Sequence, residues 1–91
     1  MSDTNISLSE ISNASVNFVF RDETVIVQFV NGTNPASEPR RFTRLQAVEF
    51  GKRVAKTGDW EGIPFDGIDT SIVRALGERL REFALIEPQV G

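Results

Sequence analysis

Four carboxylates, Asp59, Glu61, Asp66 and Asp69, fall in the segment TGDWEGIPFDGID, residues 57–69, which carries no basic residue. Acids gathered this closely are raw material for a divalent cation site or for acid–base hydrolysis. The spacing serves neither chemistry. Glycines and acids do not follow the D-x-[DN]-x-[DN]-G order of a calcium loop, and Asp69 stands where a helix would take an N-cap. Nothing in the sequence marks an acid held in a dry cleft, as hydrolysis by paired carboxylates requires.

The chain has no histidine and no cysteine. That removes the commonest general base, the commonest transition-metal ligand, the thiolate nucleophile and any disulfide. A Ser-His-Asp or Cys-His arrangement cannot be built within it. The segment FVNGTNPAS lacks the Gly-Lys core of a phosphate-cradling loop. The expectation is a protein with no catalytic residues, no metal and no cofactor.

The acidic segment also holds the only tryptophan, Trp60, with Ile63, Phe65 and Ile68 recurring after it. Gly58, Gly62 and Gly67 widen the backbone choices and Pro64 restrains the middle. Two readings follow. The segment is a connector that lays its apolar side chains back onto a helix pair, or Trp60 projects into a partner protein inside a polar rim, tryptophan being enriched at interface hot spots. The second reading makes Trp60, Asp59, Glu61, Phe65 and Asp66 the partner-binding set, together with the exposed face of the hairpin described below.

Charge is divided along the chain. From Arg40 to Lys56 there are six basic residues against Glu49 alone, a net of plus five, whereas residues 57–73 hold the four carboxylates and no base, a net of minus four. The alternative interface is therefore a nucleic-acid surface made by Arg40, Arg41, Arg44, Lys52, Arg53 and Lys56. The competing reading is the solvated face of an amphipathic helix. An overall charge of −3 opposes long-range attraction to DNA. The joint between the two predicted helices is also longer than a helix-turn-helix tolerates, so nucleic acid is disfavoured.

The elements that would position these residues follow from periodicity. In SVNFVFRDETVIVQFVNG, Val16, Phe18 and Phe20 share one face of a strand and Val25, Val27 and Phe29 one face of the next, with RDET as a short hairpin turn. Val19, Ile26 and Val30 then lie on the opposite face, too apolar to be left in water. The candidates to cover it are the N-terminal Ile6 and Leu8 segment, a third strand near Arg40–Phe42, or a second copy. Thr43 and Gln46 form a capping box that opens a helix over 44–57, with Gly51 available for close packing and Gly58 as its stop. Asp69, with Ile68 and Val73 as a hydrophobic staple, opens a second helix over 70–86.

The predicted architecture is α+β: an antiparallel hairpin or small sheet over 14–31, extended by the N-terminal segment or by residues 40–42, packed against two amphipathic helices. Residues 1–13 form a flexible arm or edge strand, 14–87 one compact domain and 88–91 a tail. A chain of 91 residues buries a modest core, so a partner or a second copy would add stability. The start has neither a basic nor an apolar leader region, and no stretch reaches membrane-span length, so the expected location is the cytoplasm. The sequons at Asn5, Asn13 and Asn31 are then chance occurrences. The expected function is a small non-enzymatic protein-binding module, an accessory or inhibitory factor of the kind carried by viruses and mobile elements. Homo-oligomerisation is an open option, and a third option is a small-ligand site, including one assembled between two copies.

Overall fold

A computed structural model describes residues 2–8, 13–65 and 67–86. Strands β1 (Ser2–Ser7), β2 (Ala14–Arg21), β3 (Thr24–Asn31), β4 (Asn34–Pro35) and β5 (Arg40–Thr43) precede helices α1 (Arg44–Thr57) and α2 (Thr70–Ile86). The sheet is antiparallel throughout. β1 pairs β2, β2 pairs β3, and β4 and β5 share the far edge of β3. This is the predicted α+β arrangement, with helices at the predicted positions and both candidate extensions of the hairpin present.

The period-two pattern sets the register. Val16 faces Phe29, Phe18 faces Val27 and Phe20 faces Val25 across β2 and β3, so one face collects the large apolar side chains. The turn between them is tight. Arg21 pairs Thr24 directly, and Asp22 and Glu23 both take left-handed backbone angles, φ 52° and 64°. A two-residue hairpin of type I′ has positive φ at both central positions, which matches strand twist, and here two non-glycine residues supply it.

β1 and β5 lengthen the sheet in its own plane and do not fold across it. Ile6 lies opposite Val16 and Phe42 opposite Val25, so their side chains join the face already covered by the helices. Leu8, just past β1, is buried in the same core. The expectation that one of these segments covers Val19, Ile26 and Val30 is therefore corrected: these three are half-buried on the face opposite the one that α1 and α2 cover. Ile11, the third apolar residue of the N-terminal run, lies outside the described residues.

α1 opens on the predicted capping box. The Gln46 backbone N–H donates to Thr43 Oγ1, the Thr43 N–H donates to Gln46 Oε1, both at 3.1 Å, and Gly58 closes the helix at φ 71° with its N–H on the Val54 carbonyl. At the start of α2 the Asp69 carboxylate accepts from the Ser71 N–H at 2.9 Å and from the Ser71 hydroxyl at 3.0 Å. The two helices meet backbone to backbone at a pair of glycines. A Cβ placed on Gly51 would stand 2.6 Å from the Gly77 carbonyl oxygen, and one placed on Gly77 would stand 2.6 Å from the Ala55 nitrogen. Gly51 thus permits the close approach its position suggests, and Gly77 is its counterpart on α2.

Candidate functional site

The acidic segment runs from the end of α1 to the start of α2, and its tryptophan turns inward. Trp60 is 5% exposed. Its ring meets Phe50 edge-on at 4.9 Å between centroids and Phe29 edge-on at 5.6 Å, geometries that aromatic quadrupoles favour. Phe65, half-buried, adds a third such contact with Phe29 at 6.2 Å. In the isolated chain Trp60 is thus a core residue and not a projecting anchor, because Phe29 and Phe50 give its ring more contact than solvent would. Its Nε1 is buried with no hydrogen-bond partner among the described residues.

Of the other residues in the expected partner-binding set, Asp59 and Glu61 are exposed and Asp66 lies outside the described residues. Asp69 caps α2. The Ser71 backbone N–H, and then the Ser71 hydroxyl, hold its carboxyl below the usual carboxylate range by stabilising the charged form. Among the described residues no three acidic side chains gather in a way that could hold a metal ion.

The basic residues are more organised than a solvated helix face. Phe42 of β5 and Phe50 of α1 stack, with centroids 5.2 Å apart and planes 24° from parallel. The Arg40 guanidinium lies 5.1 Å from both ring centroids, and that of Arg53 lies 5.1 Å from Phe50. Arg40 also donates to the Glu61 carbonyl oxygen at 3.4 Å, tying the acidic segment to the sheet edge. Arg41, Gln46, Glu49 and Arg53 stand around the two rings and wall an open groove of about 500 Å³. Leu45, next to this groove in the chain, is 70% exposed.

Arg44 is only partly exposed, and its Nε is buried without a partner among the described residues. Lys52 and Lys56 are exposed on α1. None of Arg40, Arg41, Arg44, Lys52, Arg53 and Lys56 forms an ion pair with a described carboxylate, whereas Arg81 and Glu78 on α2 do, at 3.7 Å. Among the described residues, then, no carboxylate of the acidic segment is paired with a cation of the basic one. A guanidinium laid on an aromatic face keeps its N–H fork for a second partner, and that fork matches a carboxylate or a phosphate.

The six cations are legible in the sequence; their arrangement around two stacked phenylalanines is not. The only signal is the adjacency Arg40-Arg41-Phe42 and the i, i+3 spacing of Phe50 and Arg53, which places that pair on neighbouring turns of one helix face. No helix among the described residues is long and apolar enough to cross a membrane. No protein-family model, curated protein or solved structure matches this chain.

Proposed function

We propose that this chain is a non-enzymatic protein-binding module that occupies an acidic surface of a macromolecular partner through the groove between β5 and α1. The observation that carries this reading is that Arg41 and Arg53 line the groove without a carboxylate partner among the described residues, Arg53 being held over Phe50, while Arg40 lies over the same ring without lining the groove. Arginine next to aromatic and aliphatic groups is the composition of interface hot spots. Leu45, 70% exposed and next in sequence to the groove-lining Gln46, would supply an apolar contact. The module would act by occupying that surface, as an accessory or inhibitory factor does.

A protein partner fits this groove better than a nucleic acid for three reasons. Glu49 lines it among the arginines, which suits a ligand of mixed charge more than an evenly spaced row of phosphates. Phe42 and Phe50 are 8% and 9% exposed and are covered by guanidinium groups, so no open ring is offered for base stacking. The carboxylates of Asp59 and Glu61 stand exposed in the segment tied to Arg40.

The test is fluorescence anisotropy with three probes: a peptide alternating Asp or Glu with Leu, a single-stranded and a double-stranded oligonucleotide. Wild type is compared with Arg41→Ala and Arg53→Ala over a salt titration. The expected result is peptide binding weakened about tenfold by each substitution, the worth of one charge-assisted contact of about 1.4 kcal/mol. Oligonucleotide binding tighter than peptide binding, with a steep salt slope, replaces this reading with the nucleic-acid one. No binding to any probe removes the groove as the site.

A further inference from the structure

The opposite edge of the molecule carries a second surface, independent of the groove. β1 is an edge strand, paired among the described residues only with β2. The Leu8 N–H donates to the Ala14 carbonyl oxygen, and the register pairs Ile6 with Val16 and Thr4 with Phe18. In an antiparallel ladder every second pair exchanges hydrogen bonds, so Thr4 and Ile6 turn their backbone groups toward β2 while Asp3 and Asn5 turn theirs outward. An edge of this kind templates pairing with another strand.

Alongside β1 runs α2, in the opposite direction. Leu8 and Ile6 share a cavity with Ile72 and Ala75, and Thr4 shares the next one with Arg79, Glu82 and Ile86. On this side α2 presents Ile72, Ala75, Arg79, Glu82 and Ile86, spaced three and four residues apart in alternation, the spacing of a helix-pairing seam. Ile86 is 62% exposed.

We propose that a second copy of this chain docks here about a two-fold axis through Thr4. The pattern is self-complementary, as an isologous interface requires. Two β1 strands paired antiparallel about Thr4 set Asp3 opposite Asn5 of the second copy, so their outward backbone groups pair and no two like charges oppose. Two α2 helices paired antiparallel in the same symmetry set Arg79 opposite Glu82 of the second copy, and Ala75 opposite its Ile86. The strand centre and the helix centre fall at one level, because Thr4, Arg79 and Glu82 line one cavity. One axis therefore satisfies both elements.

The test is sedimentation equilibrium on wild type, Arg79→Glu, Glu82→Arg, the double exchange of the two, and Asn5→Pro. Wild type is expected to be a dimer. Each single reversal sets like charges together twice across the axis and is expected to raise the dimer Kd at least about tenfold. The double exchange restores the opposite signs and the dimer. Asn5→Pro removes a backbone N–H that β2 does not use, together with the side-chain bonds of Asn5 Nδ2 to Ser15 Oγ and Asn17 Oδ1; it is expected to give a monomer with the helices intact by circular dichroism. A wild type monomeric at about 100 µM, far above the Kd of a stable dimer, overturns the proposal. So does a dimer unaffected by the two single reversals, and these rest on side chains exposed on α2, so they decide the matter even if the proline variant misfolds.

Discussion

Replacing Gly77 by alanine tests the helix crossing on which the two-layer packing depends. In an unencumbered helix the change stabilises by about 1 kcal/mol, since alanine is the better helix former. Here the new methyl would stand 2.6 Å from the Ala55 nitrogen, 2.7 Å from the Gly51 oxygen and 2.9 Å from Val54 Cβ. None of these atoms is the end of a flexible side chain, so relief requires α2 to move away from α1 by roughly 0.8 Å, enough to forfeit a quarter to a half of each dispersion contact it shares. Overpacking of this kind costs about 1–3 kcal/mol, and the rigidity of both backbones puts Gly77 at the top of that range. After the propensity gain, the net loss is about 2 kcal/mol, or a Tm lower by about 10 °C for a domain of this size. Urea and thermal denaturation followed by circular dichroism measure it. Gly51→Ala is expected to behave alike, and the double variant to lose less than the sum, because helices already parted by one methyl accommodate the second. A neutral or stabilised Gly77→Ala would refute the crossing.

Other outcomes follow from single features. Trp60→Ala is expected to destabilise by about 3–5 kcal/mol, as for other truncated core aromatics. Trp60→Phe should lose much less, because it also removes the buried Nε1 that lacks a partner among the described residues; equal losses in the two variants would contradict the inward placement. Glu23→Gly relieves the positive φ of the hairpin turn and is expected to stabilise by about 1 kcal/mol in the same denaturation assay. The carboxyl of Asp69 titrates below its unfolded value, so its contribution is complete above the ordinary carboxylate pKa and is lost as pH falls through the lowered folded value. Asp69→Asn keeps a capping oxygen and should leave the Tm near neutral pH little changed while making the acid side of the Tm–pH curve shallower. An unchanged acid limb would show that Asp69 does not contribute there.

Much of the framework is written locally and is legible in the sequence alone. The capping box at Thr43 and Gln46, the glycine stop at Gly58 and the Asp69 cap bound the helices, because each acts within one turn of its own backbone. The alternation of Val16, Phe18, Val25, Val27 and Phe29 identifies the buried face of the hairpin. Periodicity says which side chains share a face but not what covers it. For that reason the pattern of the N-terminal segment and of Arg40–Phe42 is equally consistent with crossing the second face or extending the sheet. Trp60 poses the same difficulty: its direction is decided by Phe29, more than thirty residues away in sequence, and by Phe50. Gly77 looks like an ordinary weak point of a helix until Gly51 is placed against it. Arg40 and Arg53 read as surface charge until Phe42 and Phe50 stack beneath them.

The most direct measurement of the central claim is a two-dimensional amide NMR titration of the labelled protein with the acidic, leucine-containing peptide. The expected shifts centre on Arg40–Thr43 and on Leu45–Arg53, and reach the Trp60 indole N–H because its ring rests on Phe50. Shifts confined to β1 and α2, or absent while an oligonucleotide perturbs the same basic residues, would contradict the assignment of this groove to an acidic protein partner.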